Sequence, residues 1–112
     1  MRIDVRTGQG PFDEQTRAYA EFRIFSALAR FGRRIDAATM VLTRLSDGAG
    51  WITCGVSIAF AGGGRLRVRS RGGHAYDAIN RAVDRVSDLL RDDHPPAAAP
   101  EPGLSIRQET TS

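Results

Sequence analysis

The sequence predicts an α/β (α+β) two-layer sandwich: a four-stranded sheet with two helices on one face, in the order βαβββα. Three observations predict it. Residues 51 to 60, WITCGVSIAF, alternate with a period of two, as a strand with one buried face must. Residues 75 to 91 keep every apolar side chain on one helical arc. A stretch from 14 to 31, free of glycine and proline, separates two short strand-like segments and so reads as a crossover helix.

Each element has its own justification. RIDVR, residues 2 to 6, places Ile3 and Val5 on one side of a short strand. TGQGP then breaks the chain, Asp13 is placed to cap the next helix, and Glu14 suits that helix's positive end. Gly32 stands where a glycine commonly ends a helix. This first helix is apolar over much of its circumference: Ala18, Phe22, Phe25 and Ala29 cluster on one side, Ile24, Leu28 and Phe31 on another. At 100° per residue, Arg23, Ser26, Arg30, Arg33 and Arg34 form a remaining polar arc that holds no acid.

AATMVLTRL, residues 37 to 45, reads as the second strand, and Asp47-Gly48 marks a hairpin turn into the third. AGGG turns the chain again into RLRVRS, where Leu66 and Val68 point to the core and Arg65, Arg67 and Arg69 outward; Arg71 continues the ladder. The last helix sets Ala75, Tyr76, Ile79, Ala82, Val83, Val86, Leu89 and Leu90 on its buried arc. Its opposite face mixes Asp77, Asp84 and Asp88 with Arg81, Arg85 and Arg91 and is close to neutral. The first helix must carry the chain back across the sheet, so strands one and two are expected to be parallel neighbours joined by a right-handed crossover. The domain is assigned to residues 1 to 93. From His94 the chain is rich in proline and polar residues, and 94 to 112 reads as a disordered tail.

Composition narrows the function classes. The chain has 112 residues, enough for one modest core, with 41% hydrophobic and 26% charged residues. No window matches the roughly 18 to 20 apolar residues of a membrane span, and the N-terminus lacks a signal-peptide core, so a cytoplasmic protein without membrane contact is expected. The single cysteine, Cys54, forms no internal disulfide; it reads as a small buried hydrophobe, with a reactive thiol as the alternative. The two histidines, His74 and His94, have no metal-ligand spacing, and His74 reads as a turn or capping residue. Asp92-Asp93-His94 closes a helix at the start of the tail, where catalytic geometry would not be held. GQG and GGG lack the following helix and the Gly-Lys-Ser/Thr of a phosphate loop. A non-enzymatic protein with no cofactor, no metal and no small-molecule substrate is therefore expected.

Arginine is the feature that remains. All 16 basic residues are arginine, and residues 1 to 94 hold 15 of them against 11 acids. Guanidinium groups make forked contacts to phosphate and stack on bases, although a GC-rich source would bias codons the same way. The outer sheet face would show Arg2, Arg6, Arg65, Arg67 and Arg69 against Asp4, and the first helix adds Arg23, Arg30, Arg33 and Arg34. Phosphate-rich RNA would supply the counter-charge, with counterion release strengthening the contact. Protection of a sheet edge would also explain the strand ladder.

The βαβββα order, FSALARFGRRI (residues 25 to 35) and RGGHAYDAINRAVDRVSDLLR (71 to 91) resemble the ribosome hibernation factor family, which includes the hibernation-promoting factor and the ribosome-associated inhibitor. The family's second-helix pattern is matched by Tyr76, Ala78, Ile79, Asp84-Arg85 and Leu89-Leu90, and the resemblance spans residues 1 to 92. It implies a short-form translation inhibitor that binds the small ribosomal subunit in stress or stationary phase. Such a factor occupies the channel of messenger and transfer RNA and holds ribosomal RNA by basic side chains. Arg85 and Arg91 carry over by match, Arg23 and Arg30 less closely; Arg81 completes the candidate set on that helix. Two departures stand out: DDHPP replaces the family's usual basic helix end, and His74 occupies the place of a capping Asp. No second, dimerising domain follows, so a monomer off the ribosome is expected. The alternative is a divergent protein-binding module on the same fold that recognises an acidic protein instead.

Overall fold

A computed structural model describes residues 1–8, 12–45 and 50–92. The Asp47-Gly48 turn and the tail assigned to 94 to 112 lie outside the described residues. Strand β1 (Arg2–Thr7) is followed by helix α1 (Glu14–Leu28), a 3₁₀ segment (Ala29–Arg34), strands β2 (Ile35–Arg44), β3 (Ile52–Phe60) and β4 (Arg65–Gly72), and helix α2 (Ala75–Asp92). The sheet runs β1-β2-β3-β4, with β1 and β2 parallel and the other pairs antiparallel. The two-layer α+β architecture expected from the sequence is the one observed.

The core forms where the alternating strand positions meet the helices. Val5, Met40, Leu42, Cys54, Val56, Ile58 and Val68 turn to one face of the sheet. Ala20, Ile24 and Leu28 of α1 and Ile79, Val83 and Val86 of α2 close over them. Burial pushes the Cys54 thiol up to about 12, so it remains a neutral apolar side chain at cellular pH. That fits the buried-hydrophobe reading rather than the reactive-thiol one.

Local chemistry sets the element ends. Asp13 has extended backbone, and its carboxylate accepts from the Thr16 N–H at 2.9 Å and the Thr16 hydroxyl at 2.8 Å. These bonds hold the Asp13 carboxyl below its ordinary value. His74 caps α2 by accepting from the Asp77 N–H through Nδ1 at 3.3 Å. Gly63 (φ +100°) and Gly64 (φ +93°) turn β3 into β4 through backbone that other residues rarely adopt.

Three boundaries differ from the sequence expectation by more than one residue. The regular part of α1 stops at Leu28 rather than 31, and Ala29–Arg34 tightens into 3₁₀ geometry, with Phe31 at φ −107°, ψ 16°. The cause is the next strand: β2 starts at Ile35, two residues early, and Ile35 must enter the core while the Arg34 carbonyl accepts from the Ala61 N–H. A register irregularity between Ile35 and Ala37 then lets Ile35 and Ala38, three positions apart, both face inward. Strand β4 runs two residues further than expected, to Gly72, because α2 packs directly on that end of the strand.

Candidate nucleic-acid interface

The outer face of the sheet is built by register. Across the four strands the aligned rows are Arg2, Ala37, Ala59, Arg65; then Asp4, Thr39, Ser57, Arg67; then Arg6, Val41, Gly55, Arg69. Thr43, Thr53 and Arg71 extend the pattern by one row. Small residues therefore occupy most of the two central strands, and arginines stand on the two edge strands. At ~4.8 Å per strand the rails are about 14 Å apart, and neighbouring arginines along β4 are ~6.8 Å apart. The result is a shallow shelf rimmed by guanidinium groups.

Its charge is poorly balanced. Arg6 donates to Asp4 at 2.7 Å, an exposed pair. Among the described residues none of Arg65, Arg67, Arg69 and Arg71 has an ion-pair partner. Arg71 instead lies over the Trp51 ring, 5.1 Å from its centroid, at the end of the shelf. The sequence reading left this stack out. The signal was present, because Trp51 immediately precedes β3 and Arg71 stands opposite Thr53 on the neighbouring strand.

The helix layer is different. Arg23 is turned towards α2: its Nε donates to Asn80 Oδ1 at 2.9 Å and its Nη2 to Asp84 Oδ1 at 3.1 Å. Tyr19 donates to the same Asn80 oxygen at 2.7 Å, and Tyr19 meets Tyr76 edge-on at 4.6 Å. The acid-free arc of the first helix thus acquires an acid from its neighbour, which no inspection of that helix alone reveals. Arg81 donates to Asp77 at 3.1 Å, holding that carboxyl below its ordinary value, and Arg91 pairs with Asp88. Among the described residues Arg85 has no ion-pair partner.

Arg30, Arg33 and Arg34 lie in the 3₁₀ segment beyond α1, with Arg30 and Arg34 at 5.8 and 5.7 Å from the Phe31 centroid. The Arg34 backbone bond to Ala61 puts this cluster at the same end of the molecule as the β3–β4 turn, four residues before Arg65. A groove of about 320 Å³ between the ends of the two helices brings Arg30 and Arg91 together with Ser26 and Ser87. The ten candidate arginines therefore do not form one site. Arg65, Arg67 and Arg69 share the outer shelf; Arg30 and Arg91 share the groove, with Arg33 and Arg34 near it; Arg23 and Arg81 are engaged in internal contacts, and Arg85 stands apart on α2.

The guanidinium groups of the shelf have the chemistry of anion contacts. His74 is the histidine among the described residues and serves as a cap, while Cys54 is fully buried. Among the described residues no group of three His, Cys, Asp or Glu side chains is placed to hold a metal ion, and no helix is long and apolar enough to cross a membrane.

No family model and no curated protein matches the sequence. Solved structures match the fold. The N-terminal domain of Protein Y from Thermus thermophilus is similar with a TM-score of 0.66 at 21% identity, covering 82% of this chain and 98% of that one. A ribosomal subunit interface protein from Coxiella burnetii is similar with a TM-score of 0.70 at 9% identity, covering 82% of this chain and 96% of that one.

Proposed function

We propose that this chain binds the ribosome. It attaches to the small subunit, occupies the channel of messenger and transfer RNA, and holds translation off during stress or stationary phase. The observation that carries this reading is the outer shelf, where four arginines of β4 have no ion-pair partner among the described residues. A rail of guanidinium groups ~6.8 Å apart suits a phosphodiester backbone, and the small residues between the rails let a nucleic-acid strand approach closely. The likeness in fold to a ribosomal subunit interface protein supports the same partner. Inhibition is by occlusion: no bond is made or broken, no cofactor is needed, and the work is done in the cytoplasm.

Within the candidate set, Arg65, Arg67 and Arg69 form the main grip. Arg30, Arg33, Arg34, Arg85 and Arg91 extend it around the molecule, Arg81 adds positive field on α2, and Arg23 positions the helices. Co-sedimentation with purified small subunits across a salt series tests the reading. With four to six phosphate contacts, affinity falls about 10²–10³-fold between 50 and 200 mM salt. Failure to pellet even at 50 mM salt overturns the proposal and leaves the protein-binding module on this fold as the alternative.

A further inference from the structure

Phosphate contacts leave one feature of the shelf unused. Ile52, Cys54, Val56 and Ile58 of β3 are buried, so strand alternation turns Trp51 to the outer face. Its backbone is fixed there, the Trp51 carbonyl accepting from the Leu45 N–H at 2.8 Å. No aligned position of the outward rows carries an aromatic side chain, so Trp51 supplies the ring of that face. Trp51 is 37% exposed, and Arg71, itself exposed, lies 5.1 Å from its centroid. Packing alone accounts for an arginine stem lying on an indole. It does not account for the place. Arg65, Arg67, Arg69 and Arg71 run ~20 Å along β4, none with an ion-pair partner among the described residues, and the ring stands where they end.

We propose that Trp51 and Arg71 form a stacking site for one unpaired base, so that the ligand of the shelf is single-stranded RNA. The site rests on the RNA-binding reading of the shelf given above and narrows its ligand. Chemistry selects the occupant. A single strand supplies anions at regular intervals for the rail, and it also supplies flat aromatic faces for the ring at its end. Bases stack on tryptophan and on guanidinium planes alike, and every base has such a face. A duplex supplies the same phosphates but holds its base faces inside the helix. An acidic peptide supplies carboxylates with no ring that must accompany them. Between the rails, Gly55, Ser57 and Ala59 offer no second stacking surface, so one base is stacked and its neighbours are held through their phosphates. The site therefore distinguishes unpaired from paired RNA and tolerates any sequence.

Trp51 is the chain's only tryptophan, so its fluorescence reports the site directly. The probe is an eight-nucleotide RNA of uridine and adenosine, titrated at low salt. Tryptophan emission is followed with the unlabelled strand, and binding by the anisotropy of an end-labelled copy. Emission is expected to fall in step with binding, while the same strand annealed to its complement leaves emission unchanged. Trp51→Leu, with unchanged circular dichroism, should weaken single-strand binding about 5–100-fold. Trp51→Phe, which keeps a ring, should recover most of that loss. The quenching is read on the wild-type chain, so it decides the matter even where a variant folds poorly. A strand that binds without quenching overturns the stacking site, as does equal quenching by the duplex or no binding at millimolar strand. So does polyglutamate that binds as tightly as the RNA, which points to an acidic protein instead. Sedimentation with small subunits reports on the ribosome separately. Wild type that pellets but is not quenched sinks the stacking site alone, and wild type that is quenched but does not pellet sinks only the ribosome reading.

Discussion

Arg23 shows how an arginine's role is set by what surrounds it. From the sequence it belongs to a basic arc, but in the fold its guanidinium bridges Asn80 and Asp84 and is largely covered. Arg23→Ala therefore costs stability, about 1–2 kcal/mol in urea unfolding, because Asn80 loses a charged donor and the helix pair loses a tie. Arg85→Ala, with no such partner, leaves stability within ~0.5 kcal/mol. Equal unfolding midpoints for the two variants would contradict this division. Charge reversal at Arg23 also mixes binding with folding, whereas Arg65, Arg67 and Arg69, solvent-facing on an edge strand, can be reversed without touching the core.

At the scale of elements, two contacts decide how the helices are placed. Gly72 ends β4 against the first turn of α2, and a Cβ there would lie 2.8 Å from the Ala78 nitrogen and 2.5 Å from an Asp77 carboxylate oxygen. Gly72→Ala is expected to destabilise by about 1–3 kcal/mol, since backbone cannot yield as a flexible side chain can. Gly62→Ala, in open space, serves as the control and should be near neutral. The cap of α1 predicts a pH effect. Asp13 has its folded pKa lowered by the Thr16 bonds, so its contribution is present above the ordinary value of 3.8 and lost as pH falls through the lower folded value. The melting-temperature gap between wild type and Asp13→Ala should be open at pH 7 and close in acid; a gap constant with pH would contradict the cap.

Much of this was legible in the sequence, for identifiable reasons. Periodicity exposed β3 and α2 because each has one apolar face, and the outward arginines of β4 followed from alternation alone. The 3₁₀ segment was not legible: Arg30, Arg33 and Arg34 continue a helical pattern, and only the demand that Ile35 reach the core breaks it. Pairings between distant elements, such as Arg23 with Asp84 or Arg71 over Trp51, depend on how strands and helices align. That alignment is a property of the packed structure rather than of any window of residues.

For the whole molecule, charge is sorted by layer. In the helix layer Arg23, Arg81 and Arg91 pair with Asp84, Asp77 and Asp88. On the outer sheet face, by contrast, Arg65, Arg67, Arg69 and Arg71 have no ion-pair partner among the described residues, so that face concentrates unpaired positive charge on one strand. The central claim is that this face grips ribosomal RNA. The most direct measurement is the affinity of the triple variant Arg65→Glu, Arg67→Glu, Arg69→Glu for small subunits at 100 mM salt, beside the double variant Arg81→Glu, Arg85→Glu on α2. The account predicts at least ~100-fold loss for the triple variant and no more than ~10-fold for the double, with both folded. A triple variant that pellets as wild type would contradict it.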